Sequence, residues 1–409
     1  MWLYNLGISL YAGGIRLAAL WHGKARLWSE GRRNIFERME AAVRPSDRIV
    51  WVHAASLGEF EQARPIIERL RAEHPEYKIL LTFFSPSGYE IRKNYEGADY
   101  VFYLPADTPS NARRFLDIVH PEIAIFIKYE FWINLLSELR RRKVRSYIVS
   151  AIFRRNSVFF RPYGAMWRQA LETFDTLFVQ NVESKRLLSE IGFDNVVVAG
   201  DTRFDRVAQI AAAAQRVETI ERFRGGGRLF VAGSTWGPDE EILLPLVNAN
   251  PDVKFVIAPH EMDEGRIAHL MRNAKGGAVR YTQCDAATRF DDVQVLVLDT
   301  MGMLSSVYGS ATWAYVGGGF GVGIHNTLEA ATFGLPIAFG PSYGKFKEAR
   351  DMVSLGCAVS VRTAGELAAW FAPLCDDEET LRRASRTAKD YTARNQGATG
   401  IILRSIFNS

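Results

Sequence analysis

The sequence contains very little cysteine: 409 residues include only three, Cys284, Cys357 and Cys375. They lie far apart, and no two of them have the CxxC spacing that is typical of zinc sites and redox motifs. Disulfide-stapled secreted domains need several paired cysteines, so this class of protein is excluded. We expect reduced thiols in a cytoplasmic protein, and we expect no metal site.

Two common nucleotide-binding motifs are also absent. The glycine cluster GGGFGVGIHNTLEA (Gly317–Ala330) does not have the GxGxxG register of dinucleotide-binding proteins, and no GxxxxGK[ST] phosphate loop occurs. The cluster nevertheless follows an apolar run and precedes a helix-like segment. Its backbone amides suit a phosphate and Glu329 suits ribose hydroxyls, so a nucleotide stays a candidate ligand.

The N-terminus lacks charge, because Met1–Ile15 carry none and Arg16 then interrupts before Leu17–Trp21. This segment is apolar enough to lie in a membrane, but it is short and interrupted for a clean span. Its aromatic residues suit a membrane–water interface, and the cations that follow suit the cytoplasmic side. We predict a membrane-associating segment over residues 1–30; the alternative is a helix docked on the protein's own core. No small-residue cleavage site follows, so a removed signal peptide is not expected.

The net charge is only +4, but basic residues crowd the segment from Arg140 to Arg161. A basic run of this kind suits an anionic partner, such as nucleic acid, phosphates or acidic lipid. The alternative is a solvated helix end and loop without a ligand.

Apolar runs and helix-like segments alternate from residue 49 onward, and the length suits two or three domains. Continuous apolar runs separated by helices indicate a parallel sheet covered on both faces. The predicted strands are Ile49–Ala54, Lys78–Phe84, Tyr100–Leu104, Glu122–Lys128, Ser146–Phe153, Thr176–Gln180, Asn195–Gly200, Arg228–Gly233, Lys254–Ala258, Gln294–Leu298, Thr312–Val316, Pro336–Phe339 and Ala358–Val361.

The alternation stops over residues 208–227, which are alanine-rich, then charged, and end in RGGG. We interpret this stretch as a linker. The sequence therefore predicts an α/β protein with two Rossmann-like doubly wound domains, residues 31–207 and 228–409, facing a central cleft. The last helix could return to the first domain. In such folds ligands bind beyond the carboxyl ends of the strands, so residues at strand ends are the candidates for a site.

Glu59 is the first candidate, since it follows a predicted strand in VHAASLGEF and begins a helix. A helix N-terminus carries partial positive charge and free N–H groups, so the carboxylate is expected to stay ionised and to suit a general base. Gly58 beside it would let a substrate approach the backbone closely. The alternative is an acid that only stabilises the start of the helix.

Glu130 and Arg203 follow two further strands of the first domain, in KYEFWIN and AGDTRFD. Glu130 is a second acid for the site or, alternatively, a helix cap. Arg203 could stabilise a leaving phosphate, or it could form a salt bridge with Asp201 or Asp205.

In the second domain, AGSTW (Ala232–Trp236) and APHE (Ala258–Glu261) end two strands, as the glycine cluster does. Small residues that lead into a helix N-terminus could take a phosphate. The candidates for these donor or phosphate loops are Ser234, Thr235, Gly319 and Gly321.

The motifs ASLGE, KYEFWIN, AGDTRFD, AGSTW, APH, DTMG and GIHNTLEA occur in this order. In this combination, and over essentially its whole length, the chain resembles the bacterial 3-deoxy-D-manno-octulosonic acid (Kdo) transferases of lipopolysaccharide assembly. The resemblance implies a GT-B glycosyltransferase that is inverting, metal-independent and without a cofactor. The donor would be CMP-Kdo. The acceptor would be the lipid A precursor, tetraacyldisaccharide 4'-bisphosphate (lipid IVA), at the cytoplasmic face of the inner membrane, with no nucleic acid partner.

The resemblance also implies roles for individual residues. Glu59 matches the catalytic base, and Glu130 and Arg203 match two positions assigned to transition-state stabilisation. The segments that match CMP-binding positions contain Pro259, His260, Met301, Gly302, Met303, Asn326, Thr327, Leu328 and Glu329. Within the basic run, Arg154 and Arg155 are candidates for contacts with acceptor phosphates.

Three positions depart from the family pattern. The family often has Pro-Arg-His where this chain has Pro259-His260-Glu261, an acidic residue where Met303 stands, and lysine where Arg203 stands. Arginine keeps the charge but changes the geometry of the contact. Two other functions stay open: a GT-B enzyme that uses a UDP-sugar, either a lipid-linked glycosyltransferase or an epimerase, and a non-catalytic lipid- or nucleotide-binding protein.

Overall fold

The computed structural model describes residues 1–408 and divides the chain into two compact units. Unit 1 comprises Met1–Arg206 together with the residues from Gln396 onward, and unit 2 comprises Val207–Asn395. Each unit is built on one seven-stranded sheet whose strands all pair in parallel. The predicted α/β class with two doubly wound domains is therefore confirmed.

The sheet of unit 1 has the order β3-β2-β1-β4-β5-β6-β7. Its strands are β1 (Ile49–His53), β2 (Lys78–Phe83), β3 (Tyr100–Tyr103), β4 (Ile123–Ile127), β5 (Arg145–Ala151), β6 (Thr176–Val179) and β7 (Val196–Val198).

Its helices are α1 (Trp2–Ala18), α2 (Gly23–Gly31), α3 (Ile35–Ala42), α4 (Leu57–Glu73), α5 (Pro86–Arg92), α6 (Pro109–Val119), α7 (Ile133–Arg142), α8 (Ala165–Leu171) and α9 (Val182–Ser189). Helix α10 (Thr202–Ala213) crosses from unit 1 into unit 2, and α19 (Ala398–Phe407) belongs to unit 1.

Strand β1 shows why the apolar runs are continuous. Every residue of β1 is buried, and successive side chains enter opposite cores. Ile49 and Trp51 pack in one hydrophobic cluster, whereas Val50 and Val52 pack in the other with residues of α4 and α19. A strand covered on both faces has no position where a polar residue is favoured.

Unit 2 repeats this architecture with the strand order β10-β11-β9-β8-β12-β13-β14. Its strands are β8 (Leu229–Thr235), β9 (Lys254–Pro259), β10 (Ala278–Arg280), β11 (Val295–Val297), β12 (Trp313–Val316), β13 (Ile337–Phe339) and β14 (Ala358–Ser360). Its helices are α11 (Glu218–Arg224), α12 (Gly237–Ala249), α13 (Glu264–Asn273), α14 (Leu304–Tyr308), α15 (Thr327–Thr332), α16 (Lys347–Ser354), α17 (Ala364–Asp376) and α18 (Glu378–Arg394).

The stretch 208–227, which we interpreted as a linker, contains the second half of α10 and the whole of α11. Ile220 and Phe223 of α11 are buried in the hydrophobic core of unit 2. Helix α11 therefore packs on the core of unit 2, so this part of the stretch is not an extended tether.

Helix α1 is attached to unit 1 by polar contacts at its N-terminal end. The Tyr4 hydroxyl donates to Asp107 Oδ2 at 2.6 Å, and Asn134 Nδ2 donates to Asn5 Oδ1 at 2.9 Å. The remaining surface of the segment is apolar and exposed at Trp2, Leu3, Leu6, Leu10, Tyr11, Leu17, Leu20 and Trp21. Within residues 1–408, no helix has the combination of length and hydropathy that a bilayer span requires.

Candidate active site

In unit 1 the order of the strands reverses between β1 and β4, which lie side by side at the centre of the sheet. Open α/β sheets bind ligands at this switch point, beyond the carboxyl ends of the two strands. Glu59 follows β1 and Glu130 follows β4. The topology therefore brings together two acids that are 71 positions apart (130 − 59) in the sequence.

Glu59 lies in the first turn of α4 and is half-buried. The backbone N–H of Ala55 donates to its Oε2 atom at 2.6 Å, which fixes the carboxyl group over the turn. Burial, with the charge of Glu130 second, raises the pKa of Glu59 to about 7, although the Ala55 hydrogen bond and the Lys128 charge oppose the rise. We expected the N–H groups at the helix start to keep Glu59 ionised. They do lower its pKa, but burial raises it by more.

A carboxyl group with a pKa near 7 is a better general base than an ordinary glutamate. It is deprotonated in a large fraction of molecules at neutral pH and still has appreciable affinity for a proton. The arrangement at Glu59 is therefore suited to taking a proton from a weakly acidic group, such as a hydroxyl.

Glu130 is held by a buried hydrogen-bond network. Its Oε2 atom accepts from Trp132 Nε1 at 2.8 Å and lies 3.2 Å from His53 Nε2. On the other side of the ring, His53 Nδ1 lies 2.8 Å from Thr82 Oγ1, which also accepts from Trp51 Nε1 at 2.8 Å. The network fixes the carboxylate through groups on two neighbouring strands, β1 and β2, and on the turn after β4.

His53 stands at the centre of this network. Its Nδ1 atom lies 2.8 Å from Thr82 Oγ1, and its Nε2 atom lies 3.2 Å from Glu130 Oε2 and 3.1 Å from Trp132 Nε1. His53 therefore positions Glu130 against β1 and β2.

Replacing Thr82 by Val should destabilise unit 1 by about 2–6 kcal/mol, since a buried Trp51 N–H and a buried His53 nitrogen lose their partner at about 1–3 kcal/mol each. Thermal unfolding followed by near-UV circular dichroism measures the loss. Thr173→Val is the matched control, because Thr173 is also buried but makes one hydrogen bond, to Leu136 O at 3.3 Å. Equal losses in the two variants would contradict the network.

Arg203 forms the salt bridge with Asp201 that we considered as its alternative role. Its Nε donates to Asp201 Oδ2 at 2.9 Å, and its backbone N–H and Gln62 Nε2 both donate to Oδ1 at 2.9 Å. Burial alone would raise the pKa of Asp201, but the charge and hydrogen bonds of Arg203 hold it below its usual value. Asp205 instead accepts from the N-terminal residues of α19. The salt bridge orients the guanidinium, whose side chain stays 29% exposed.

Tyr129 lies within electrostatic reach of several of these groups. Its pKa is raised first by burial, and the charges of Arg154, Asp201, Glu59 and Arg203 act on it. Arg155 does not join them in the same way, because it pairs with Glu190 of α9 at 3.1 Å.

Half of the basic run, including all three arginines at the end of α7, forms internal ion pairs. Arg140 pairs with Glu172 at 2.6 Å, and Arg141 and Arg142 both pair with Glu138, at 2.6 and 2.9 Å. These pairs reduce the positive charge available to a ligand along α7. The run therefore does not form one continuous surface for an anionic ligand. Individual residues, such as Arg154, stay candidates for contacts with such a ligand.

Sequence reasoning did not single out three residues of this site: His53, Lys128 and Tyr129. Lys128 has a left-handed backbone (φ 61°) and lowers the pKa of Glu59 through its charge. Lys128 and Tyr129 stand in KYEFWIN and His53 in VHAASLGEF. A rule that examines every polar residue within three positions of a strand end would have found all three.

In unit 2 the strand order reverses between β8 and β12. Ser234 and Thr235 are the last two residues of β8 and lead into the β8–α12 loop, and the glycine cluster follows β12. The topology therefore places these two predicted loops side by side, at the position where a second ligand of this fold would bind.

Asp239, in the first turn of α12, joins the two loops. It is fully buried, and its Oδ2 accepts from the backbone N–H groups of Trp236 and Gly318, both at 2.9 Å. Its Oδ1 accepts from the Tyr315 hydroxyl at 2.7 Å. Burial raises the pKa of Asp239 while the three donors oppose the rise. Asp239 was not among the predicted residues, since its contacts come from β12, far along the chain.

The glycine cluster needs its glycines mainly for packing. A Cβ on Gly317 would lie 2.2 Å from Ser234 O, and one on Gly319 would lie 2.5 Å from Gly340 Cα. The N–H of Gly317 donates to Gly233 O, that of Gly318 to Asp239, and that of Gly321 to Gly318 O. These amides hold the loop itself, which limits the role that we predicted for Gly321 as a phosphate donor.

Ser234 and Thr235 also contribute to loop structure. Ser234 has a left-handed backbone (φ 55°), and the Thr235 hydroxyl is buried and donates to Glu240 Oε1 at 2.9 Å. Arg266, which the sequence did not single out, donates to the same Glu240 oxygen and to Thr235 O. The guanidinium of Arg266 lies 5.9 Å from the Trp236 ring centroid and places a cation beside this loop.

Three rings stack beside these loops. The His260 ring centroid lies 4.8 Å from that of Trp236 and 4.3 Å from that of His325. Trp236 Nε1 donates to His325 Nε2 at 3.3 Å, and burial, followed by the charge of His260, lowers the pKa of His325. His260 is exposed, whereas Pro259 at the end of β9 is buried. Exposed His260 thus offers a ligand contact that Pro259 does not.

The segment Asn326–Glu329 begins α15. Asn326 caps the helix through the Leu328 N–H and donates from Nδ2 to Glu329 Oε1 at 3.0 Å. The Ser305 hydroxyl donates to the other oxygen of Glu329 at 2.7 Å. Thr327 and Leu328 are buried, so among these four predicted residues the polar side chains at the surface are Asn326 and Glu329.

The predicted segment Met301–Met303 lies between β11 and α14. Met301 is 78% exposed, and Gly302 has φ 86°, which only glycine adopts readily. Met303 precedes α14 and packs partly on the core of unit 2. Met301 is therefore the side chain of this segment that a ligand could reach.

The chain is similar in sequence to one family of enzymes. Residues 32–206 match the family described as 3-Deoxy-D-manno-octulosonic-acid transferase (kdotransferase). A 3-deoxy-D-manno-octulosonic acid transferase of Bordetella pertussis is 28% identical over 87% of this chain and 86% of its own length. The corresponding protein of Haemophilus influenzae is 25% identical over 88% and 86%. That of Aquifex aeolicus is 26% identical over 78% and 83%.

Solved structures resemble the fold of the chain at lower identity. UDP-GlcNAc 2-epimerase from Neisseria meningitidis has a TM-score of 0.62 at 15% identity, covering 88% of this chain and all of that one. MurG of Acinetobacter baumannii has a TM-score of 0.55 at 13% identity, covering 89% and 100%. These likenesses concern the fold, and they agree with the two Rossmann-like units. The fold is of the GT-B type.

Proposed function

We propose that the chain, whose sequence is similar to those of 3-deoxy-D-manno-octulosonic acid transferases, transfers Kdo from CMP-Kdo to a lipid A precursor, lipid IVA, with inversion at the anomeric carbon. The reaction is a glycosyl transfer in lipopolysaccharide biosynthesis. It needs a base for the acceptor hydroxyl and groups that receive the charge of the leaving CMP.

The environment of Glu59 is the observation that supports this proposal most strongly. Its pKa of about 7, its fixed carboxyl group and its position at the switch point of unit 1 suit proton removal from a sugar hydroxyl. As that oxygen bonds to the anomeric carbon of Kdo, the bond from this carbon to the phosphate oxygen breaks. CMP leaves with the electron pair, and Glu59 keeps the proton.

Cations within electrostatic reach of Tyr129 suit the negative charge that develops in this step. Arg203, oriented by Asp201, and Arg154 both lie within electrostatic reach of Tyr129, as Glu59 does. Oriented cations in a partly desolvated site stabilise a developing phosphate charge without reorganising. In unit 2, exposed His260 and the Asn326–Glu329 pair are the groups that we assign to the nucleotide.

Mass spectrometry of the product from CMP-Kdo and lipid IVA tests the proposal. We expect a mass increase of one or more Kdo residues, and the increment gives the number transferred. Incubation with UDP-sugars in place of CMP-Kdo is the comparison. Turnover with a UDP-sugar alone would overturn the proposed donor, and turnover with neither donor would favour a non-catalytic protein.

We place the protein at the cytoplasmic face of the inner membrane, where the lipid acceptor is found. The exposed apolar residues of α1 support this proposal, since a surface of this composition is typical of interfacial helices. Replacing Leu3, Leu6 and Leu10 by Ser should release the protein from the membrane fraction while leaving the Tyr4 and Asn5 contacts in place. Equal sedimentation of this variant and wild type with membranes would contradict an anchor at α1.

A further inference from the structure

Unit 1 contains a pocket between α1, α2, the start of α3 and the segment that leads into α6. Its volume is about 460 Å³. The side chains that matter for its chemistry are Arg16, Trp28, Ser29, Arg32 and Arg33. Neither Glu59 nor Glu130 lines this pocket, so it is distinct from the site described above.

The charge of the pocket is strongly positive. Arg32 is held by uncharged partners: its Nε and Nη2 atoms donate to Leu104 O and Phe84 O, both at 2.8 Å, and its guanidinium lies 3.9 Å from the Trp28 ring centroid. Burial lowers the pKa of Arg32 to about 9, which still leaves it a cation at neutral pH. One carboxylate, Glu37, lines the pocket, and Arg114 already pairs with it at 3.2 Å.

Two residues that line this pocket each have a buried polar side-chain atom without a hydrogen-bond partner among residues 1–408. These atoms are Trp28 Nε1 and Ser29 Oγ. Trp28 itself is only 6% exposed. A buried indole N–H without an acceptor is unfavourable by about 1–3 kcal/mol, so an acceptor brought by a ligand would be favoured here. Arginine, indole N–H and hydroxyl groups all donate to the oxygens of a phosphate.

A smaller apolar cavity of about 230 Å³ lies beside this pocket and shares Trp28 and Ala106 with it. Ile8, Tyr11, Phe84 and Trp132 complete most of its lining. Trp132 is also the donor that holds Glu130. A cationic pocket that continues into an aromatic cavity, next to the exposed apolar surface of α1, fits a phosphate with an attached acyl chain and not a free anion.

We propose that the Arg16–Arg32–Arg33 pocket binds the phosphate group of a lipid, with part of the lipid's apolar chain in the adjoining cavity. This inference rests on the proposed function in one respect, since it assumes that the protein works on a lipid surface. The lipid is either the phosphorylated acceptor or a phospholipid of the bilayer, and the chemistry that the pocket recognises is the same.

Vesicle flotation with the full chain tests the proposal. The base vesicle is digalactosyldiacylglycerol, which is neutral and carries no phosphate. To it we add an equal mole fraction of either phosphatidic acid or sulfoquinovosyl diacylglycerol, which is anionic without phosphate. General attraction to an anionic surface acts on both kinds of vesicle, whereas hydrogen bonds from arginine to a phosphate act only on phosphatidic acid. We therefore expect Arg16→Gln/Arg33→Gln to weaken binding to phosphatidic acid vesicles about tenfold more than binding to the sulfolipid vesicles.

Arg383→Gln/Arg386→Gln is the matched control, because it removes the same charge from exposed positions of α18 in unit 2. A loss that is equal on both anionic vesicles, or equal in the control, would overturn the proposal in favour of general surface charge. Trp28→Phe, which keeps the ring and removes the unpartnered N–H, should weaken binding to phosphatidic acid vesicles about threefold or more. An unchanged affinity in this variant would remove Trp28 from the site and contradict the proposal.

Two competition experiments distinguish free phosphate, the lipid acceptor and a bilayer phospholipid as the ligand of the pocket. Inorganic phosphate at matched ionic strength should not displace the protein from phosphatidic acid vesicles, and displacement at low millimolar concentration would overturn the lipid assignment. Lipid IVA in the same vesicles competes with phosphatidic acid if the pocket takes the acceptor, and does not compete if it takes the bilayer lipid. None of these measurements uses Kdo transfer, so their failure and the failure of the proposed reaction are distinguishable.

Discussion

Replacing Glu59 by Gln should lower kcat for Kdo transfer by about 10²–10⁴-fold, which is the usual contribution of a positioned general base. Gln has the size of Glu and can still accept the Ala55 N–H through its amide oxygen, but it cannot take a proton at neutral pH. Since burial opposes the charged form of Glu59, the neutral amide should fold at least as well as wild type.

Product formation with CMP-Kdo and lipid IVA, followed by mass spectrometry, measures this loss. Glu61→Gln is the matched control, since Glu61 lies two positions further along α4 and pairs with Arg92 and Arg206. We expect the control to keep most of the activity and both variants to keep their melting temperature. Near-wild-type turnover by Glu59→Gln would remove the base from the proposed mechanism.

The pH dependence of the rate reports the same group. With a pKa of about 7, Glu59 is mostly protonated at pH 6 and mostly ionised at pH 8, so kcat/KM should rise through this range. The charge of Glu130 raises the pKa of Glu59 and that of Lys128 lowers it. Glu130→Gln should therefore shift the midpoint of the rise to lower pH, and Lys128→Met should shift it to higher pH. Shifts in the same direction would contradict the assignment of the midpoint to Glu59.

The fold was predictable from sequence because the strands of both sheets are buried on both faces and therefore appear as continuous apolar runs. Strand β10 is the exception. It is a three-residue strand at the edge of its sheet, and all three of its residues are only half-buried. Its sequence therefore contains no apolar run from which the strand could be predicted. Two sheets and the positions of their strand ends could thus be predicted, whereas a short half-exposed edge could not.

The candidate site was predictable only to the level of which residues stand at strand ends. Glu59 and Glu130 were found in this way, but the pKa of Glu59 depends on burial and on Glu130, which only the folded chain supplies. In the same way, the ion pairs of Arg141 and Arg142 with Glu138 use helical spacing that is visible in the sequence, whereas the pairing of Arg140 with Glu172 joins two helices. Long-range electrostatics is the part that sequence patterns do not contain.

Replacing Asp239 by Ala should destabilise unit 2 by about 3 kcal/mol or more, because three buried donors lose their acceptor at about 1–3 kcal/mol each. These donors are the Tyr315 hydroxyl and the N–H groups of Trp236 and Gly318. Since Asp239 holds the β8 loop against the glycine cluster, we also expect the affinity for CMP to fall by at least tenfold. This second expectation rests on the proposed nucleotide site, whereas the first rests on the hydrogen bonds alone.

Asp239→Asn separates these hydrogen bonds from the charge. An amide turned with its oxygen toward the Trp236 and Gly318 N–H groups can accept both, while its NH₂ donates to the Tyr315 oxygen. Asn should therefore recover most of the melting temperature and of the CMP affinity measured by calorimetry, because burial already disfavours the charged form of Asp239. Glu241→Ala is the matched control, since Glu241 is exposed on the same helix. If Asp239→Ala matched this control in both measurements, Asp239 would not hold the two loops together; if Asn failed like Ala, the charge would be the property that holds them.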